Sequence, residues 1–357
     1  MRVTSLRPLR LFAAAILTFA LTFPLSAASS DPVGVLRLKL RGNSDTIVSL
    51  PLHRPALVEA NLTTREGNTL TLDASIPAIS TGGAYALVMT GPLEGAVLPI
   101  ASATSNAVTV DPTTNDLAAL TTSDTLAVIP YWTLDTLFPN GTGVHVATAS
   151  PFATEVLLFS PETTGINHAA SKVFFYFAGT SNKPAGWYQV GNTAVSKGAQ
   201  RIDPGSYFVV RHNIAIDTAL TLTGCVQMAI QRTPVSTLAA QTAQDNLVGL
   251  AVATPVTLGS SSLVSSGAFA PTTSANPQSD QLLVFDNAVA AKNKSASAVY
   301  FYLGAGGAKP AGWYRVGDTA ATADAVVLKP GEGFVIRKRG STTPRTDVWK
   351  LLPAYLQ

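Results

Sequence analysis

The sequence predicts an all-β protein made of two tandem sandwich-like or barrel-like units, the first carrying an inserted small β subdomain. Three observations predict it. The run Lys-Pro-Ala-Gly-Trp-Tyr-x-Val-Gly occurs twice, at Lys183 to Gly191 and Lys309 to Gly317, so that Trp313 follows Trp187 by 126 residues. That offset holds without a gap from Leu137/Leu263 through Phe159/Phe285, Tyr176/Tyr302 and Pro204/Pro330 to Arg211/Arg337, the mark of an internal duplication. β-branched and aromatic residues come in short runs between Gly, Pro, Asn and Ser clusters, and helical periodicity is nearly absent.

At the N-terminus, Arg2, Arg7 and Arg10 precede an apolar run from Leu11 to Leu25 and then Ser26-Ala27-Ala28, the layout of a secretory signal peptide over residues 1–28. The apolar run is short for a bilayer span of about 20 residues, and Pro24 sits near its end. Cleavage after Ala28 is therefore expected, with a secreted, periplasmic or outer-surface location and no membrane span afterwards. No cysteine directly follows the cleavage position, which excludes a bacterial lipoprotein. The formal net charge of +3 is matched by the three leader arginines, and only 13% of residues are charged. Without a basic run the chain lacks the electrostatic footprint of a nucleic-acid binder. The sole cysteine, Cys225, excludes an intrachain disulfide and reads as a small buried hydrophobe within the apolar run Leu220 to Ile230.

Along the chain, Val35 to Arg41 alternates, with Leu36, Leu38 and Leu40 on one face and Arg37, Lys39 and Arg41 on the other. Gly42 to Asp45 turns it into Thr46 to Leu50. The second unit has a counterpart in Asp245 to Leu250, with Pro255 standing for Pro55 at an offset of 200. The two offsets differ by 200 − 126 = 74 residues, which belong to an inserted segment at about 57–129. Within it, Asn68 to Asp73 is echoed by Asn106 to Asp111; with Tyr85 to Met89, Ala96 to Ile100 and Thr125 to Ile129 these make enough strands for a small barrel or added sheet. The aromatic strand Val173 to Phe177, matched by Val299 to Leu303, is apolar on both faces, as strands buried between two layers are. Helix is confined to two short candidates, Leu238 to Gln244 and Val348 to Tyr355. Thr233 to Ala243, rich in Thr, Ala and Gln, reads as a linker. The expected organisation is thus residues 29–232 for the first unit, 233–243 for the linker and 244–357 for the second unit.

The aromatic hairpins are the candidate ligand site, with Trp187, Tyr188, Trp313 and Tyr314 as a stacking platform for sugar rings. Their retention in both copies, while the adjoining loops differ, favours a core role instead; the differing loops Ala178 to Gly186 and Gly304 to Gly312 are then the better binding surfaces. Gly304 to Lys309 is glycine-rich but leads into Pro310 and a strand, so it is no phosphate loop. His53, His145, His168 and His212 are scattered, and no pair has metal-ligand spacing. No Ser, His and acid group together, and carboxylates for glycoside hydrolysis would have to come from the sparse set Glu94, Asp135, Glu155, Asp286 and Glu332. No catalytic residue, cofactor site or metal site is assigned.

At Ser279-Asp-x-Leu-Leu-Val-Phe-Asp-Asn287, Lys292-Asn-Lys-Ser295, the Trp-Tyr-x-Val-Gly hairpins and the closing Pro330-Gly-x-Gly-Phe-Val-Ile-Arg337, the chain resembles a family of secreted, largely uncharacterised proteins from verrucomicrobial bacteria. The segments Asp31 to Gly34 and Ile129 to Leu134 share the resemblance, which covers nearly all of the chain after the leader. It implies an envelope or extracellular location and β architecture, and carries over no functional residue. The function expected is a non-catalytic structural, surface-associated or adhesive role, with a cell-surface glycan or another envelope protein as partner; the competing class is a carbohydrate-binding module or carbohydrate-active enzyme.

Overall fold

The computed structural model describes residues 32–111, 116–148, 152–273, 279–305 and 309–357, so the expected leader lies outside the described residues. The first unit opens with β1 (Val33–Leu40), β2 (Ser44–Ser49) and β3 (Leu52–His53), Asn43 taking φ 46° in the turn after β1. The chain then leaves for six strands, β4 (Val58–Glu66), β5 (Thr69–Leu72), β6 (Ala84–Val88), β7 (Val97–Ala103), β8 (Ala107–Val110) and β9 (Thr125–Pro130). They close into a barrel in the order β4-β5-β8-β7-β6-β9. The two echoed segments are neighbours in it, with Leu70 opposite Val108. Register shifts at Leu62/Thr64 and Ile100/Ser102 mark the irregularities that sharpen a sheet's bend. Leu62, Leu70, Leu98, Val108 and Leu126 fill the barrel as a core of its own.

On return come β10 (Trp132–Thr133), a single helical turn α1 (Leu134–Leu137), and β11 (Thr154–Leu158), β12 (Lys172–Phe177), β13 (Gly186–Gln189), β14 (Arg201–Ile202), β15 (Tyr207–His212) and β16 (Thr218–Val226). Thr133 and Thr136 cap α1 reciprocally, a local signal that the strand-dominated sequence reading passed over. The second unit comprises β17 (Gln231–Thr237), β18 (Gln244–Gly249), β19 (Val256–Thr257), β20 (Gln281–Val284), β21 (Ala298–Leu303), β22 (Gly312–Arg315), β23 (Val327–Leu328), β24 (Gly333–Lys338) and β25 (Arg345–Leu351).

The two units share one strand order. The first holds a five-stranded sheet β13-β12-β11-β15-β2 and the second β22-β21-β20-β24-β18. Corresponding registers agree: Tyr176 lies opposite Trp187 as Tyr302 lies opposite Trp313, and Arg211 opposite Asp45 as Arg337 lies opposite Asp245. Because side chains alternate across a strand, each sheet buries both faces. In the first sheet, Val48, Val156, Phe174, Phe208 and Val210 pack with Leu220 and Leu222 of β16; in the second, Leu282, Phe334 and Ile336 pack with Trp349 and Leu351 of β25. The opposite faces, with Ile47, Leu157 and Val209 from one sheet and Val335, Leu247 and Leu283 from the other, meet in a shared core. The result is four β layers with two sheets back to back in the middle.

Two expectations are corrected. Thr233 to Ala243 is no linker: Gln231–Thr237 is a strand that pairs with β25 as β1 pairs with β16, so the second unit begins about where its first strand does. Its inward positions are Thr233, Val235 and Thr237, all buried, and the two threonines hide the alternation from a hydropathy reading. The two helical candidates do not form as expected, the second yielding only a 3-10 turn at Ala354–Leu356. Val348 to Leu351 ends β25 because Trp349 and Leu351 point inward with Lys350 out, a period of two; Gln244 opens β18.

Candidate functional site

The aromatic hairpins that the sequence singles out lie in the interior. Trp187 is 0% exposed and Trp313, Tyr188 and Tyr314 are 2% exposed. Each Trp meets the neighbouring strand's Tyr edge-on, at 5.6 Å from Tyr176 and 5.6 Å from Tyr302. Each Tyr hydroxyl donates to the proline carbonyl four residues earlier, Tyr188 to Pro184 and Tyr314 to Pro310, both at 2.9 Å. The repeated motif is thus a self-contained hairpin whose tyrosine ties down its own loop. Rings with both faces covered cannot stack on a sugar, so these four residues are core and not a binding platform.

Charged side chains cluster where the units meet. Arg211 binds Asp45 through two bonds of 2.6 and 2.8 Å, and the same guanidinium reaches Asn293 of the second unit at 2.6 Å. Arg337 binds Asp245 at 2.7 and 2.9 Å and reaches Asn167 of the first unit at 3.0 Å. Asn167 and Asn293 take φ 56° and 50°, and each backbone N–H donates to the opposite unit's aspartate at 2.7 Å. The side-chain hydrogen bond to Asp45 holds the Arg211 guanidinium above its ordinary pKa, and Asp245 does the same for Arg337. Each unit therefore clasps the other through the same residues.

A second pair of equivalent positions differs in chemistry. Lys338, buried, contacts Asp280 at 2.7 Å and Asp347 at 3.2 Å and donates to Ala268 O at 2.9 Å. In the first unit its place is taken by His212 and that of Asp280 by Thr154, their Nδ1 and Oγ1 2.8 Å apart, while His212 Nε2 lies 2.8 Å from Thr218 Oγ1. Burial, helped by nearby His145, lowers the His212 pKa to about 4. A neutral pair stands where the other unit holds an ionic one, and both members change together.

The remaining feature is a cleft of about 430 Å³ where the barrel, the first unit and β17 and β18 of the second converge. Tyr131, Arg201, Asp203, Tyr207, Arg232 and Leu247 are among its walls. Arg201 pairs with Asp203 at 3.1 Å and lies over the Tyr131 ring at 4.9 Å. Burial raises the Asp203 carboxyl and the Tyr207 hydroxyl, the first in spite of Arg201. Arg232 differs: burial lowers its guanidinium, no carboxylate opposes that shift, its Nε has no partner, and Nη1 makes one bond of 3.5 Å to Pro92 O. None of these residues stood out in the sequence, since Arg201 and Arg232 are isolated charges that only the docking of the barrel brings together. The arrangement can hold a small polar ligand by hydrogen bonds and charge.

Of the sparse acids weighed for hydrolysis, three have other neighbours. Glu94 accepts from Ile230 N–H, Asp286 from Ala288 N–H, and Glu155 stands opposite Arg211. Asp286 and Glu332 do come near each other, and the Glu332 carboxyl is raised by burial first and by Asp286 in smaller part. Among the described residues no group of three or more His, Cys, Asp or Glu could hold a metal ion, and no helix is long and apolar enough to cross a membrane. Of the differing loops, residues 306–308 lie outside the described residues. Compared with protein-family models, curated proteins and solved structures, the chain matches none.

Proposed function

We propose that the chain is a secreted, non-catalytic β protein with a structural, surface-associated or adhesive role, released by removal of residues 1–28 and akin to the secreted two-repeat verrucomicrobial proteins that its motifs resemble. The observation that carries this reading is the reciprocal clasp: Asp45, Arg211, Asn167, Asp245, Arg337 and Asn293 are all engaged in holding the two units together. The buried groups His212, Lys338 and Asp280 are likewise partnered within their own units, the first with Thr154 and the other two with each other. A protein whose ionic groups lock its layers is suited to bearing load or presenting loops, with an envelope protein or surface glycan as partner. The carbohydrate-binding alternative loses its aromatic platform to the core.

Purified protein on a glycan array and in a hydrolase screen tests the reading. No turnover is expected in the screen, with or without binding of a surface glycan on the array, whereas turnover of a glycan overturns the reading. Mass spectrometry of protein from its native host is expected to give an N-terminus at Ser29; an intact Met1 on a membrane-bound species overturns the secretion part.

A further inference from the structure

The outer edges of the two central sheets are each closed by loops of the opposite unit, and one closure is incomplete. On β2, Asp45 N–H donates to Ala291 O at 2.8 Å and Ser49 N–H to Gly331 O at 3.0 Å. Between them the Asn287 carboxamide grips Ile47 from both sides: Ile47 N–H donates to Oδ1 at 3.0 Å, and Nδ2 donates to Ile47 O at 2.8 Å. On β18 the flanking bonds recur, from Asp245 N–H to Gly165 O at 2.9 Å and from Gly249 N–H to Gly205 O at 3.0 Å. The residue between is Leu247, whose carbonyl is met by the Tyr207 N–H through the bridge of Ser206 with Val248, as the Ile47 carbonyl is met by the Gly333 N–H through that of Val48 with Glu332. What this edge lacks is therefore a side chain on the Leu247 N–H. The position equivalent to Asn287 is Pro161, whose ring has neither a donor nor an acceptor, and among the described residues no other side chain bonds the Leu247 backbone. Leu247 and Pro161 both line the 430 Å³ cleft.

We propose that this cleft binds a small molecule carrying a primary carboxamide and a carboxylate, the carboxamide seated on the Leu247 backbone as that of Asn287 is on Ile47, and the carboxylate at Arg232. The carboxamide follows from the width of the gap. The donors two residues to either side, about 6.6 Å away along the strand, are already bonded, so no added peptide strand can run along this edge. A primary carboxamide presents N–H and C=O side by side, whereas a trans secondary amide, in a peptide or an N-acetyl group, directs them to opposite edges. The carboxylate follows from Arg232. It is half-buried, its Nε has no partner, and across the ladder it stands opposite Lys350, a cation facing a cation. Asp203, the acid in the cleft wall nearest in role, is paired with Arg201. A ligand carboxylate gives the guanidinium fork the counter-charge that the protein does not.

The experiment is a titration of succinamate into the full chain, read by the Leu247 amide in a ¹⁵N–¹H spectrum and by calorimetry. Saturable binding that moves the Leu247 amide is expected, with succinate and propionamide each at least tenfold weaker. Pro161→Asn, which restores the internal carboxamide, is expected to abolish succinamate binding without lowering the melting temperature. Arg232→Gln is expected to weaken binding at least tenfold. No saturable binding, equal affinity for succinate, or undiminished binding by Pro161→Asn overturns the proposal. If Pro161→Asn melts lower than the parent, Arg232→Gln decides alone, and unchanged affinity there overturns it.

Discussion

Trp187 and Trp313 illustrate what a residue's place in a repeat reveals. Both are among the largest buried side chains of the molecule, so Trp→Ala at either is expected to cost about 3 to 5 kcal/mol through lost burial plus cavity, similarly at both sites, by urea titration. Their buried role was legible because the ring persisted where its loop changed. His212 was not legible, since a lone histidine says nothing of what surrounds it. Its folded-state pKa of about 4 lies below the ordinary value of 6.5, so between those values the unfolded chain binds a proton that the folded chain refuses. Stability from this group is therefore complete above about pH 6.5 and lost as the pH falls toward 4, by roughly 3 kcal/mol in all. His212→Asn should flatten that part of a stability profile. His212→Lys alone buries an uncompensated ammonium and is expected to cost about 3 to 5 kcal/mol, much of it recovered on adding Thr154→Asp, which rebuilds the Lys338–Asp280 pair.

At the scale of elements, the strands with plain alternation, β1 and β5 among them, were legible from period-two patterning, and the barrel's bounds followed from comparing two offsets. The strand β17 was not, because its buried face is Thr-Val-Thr and composition outweighed period. The clasp was not either: Asp45 and Arg211 are 166 residues apart, and Arg211 and Asn293 another 82, distances over which no local pattern speaks. Once seen, it makes a sharp prediction. Asp45→Ala and Asp245→Ala each strand a guanidinium in a partly buried site, and each is expected to cost about 3 kcal/mol. The two losses should be nearly equal in denaturant melts, and a large difference between them would mean that the two halves of the clasp are not equivalent. The same elements explain why β2 and β18, though outermost in their sheets, offer no free backbone ladder to another chain: loops of the opposite unit cover them.

For the whole molecule, the shared core of Ile47, Leu157, Val209, Leu247, Leu283 and Val335 ties the stability of one unit to the other. Denaturation followed by fluorescence and by circular dichroism should therefore give one coincident transition for both units. A fragment ending at residue 230 would expose the Ile47–Leu157–Val209 face, and is expected to associate or aggregate where the full chain does not, as size-exclusion chromatography would show. The reciprocity of the contacts has one more consequence. Asp45 meets the loop of Asn293 while Asp245 meets the loop of Asn167, so a given patch on one half touches the matching patch on the other. That is the geometry of an isologous interface, the kind that relates the partners of a C₂ homodimer. Such an interface saturates after one pairing and has no second surface from which a fibre could grow, so a single unit bearing both the aspartate and the asparagine loop should stop at a dimer. The covalent chain carries that closed symmetry within one polypeptide, so its two halves need not be identical, and they differ at Pro161 and Asn287.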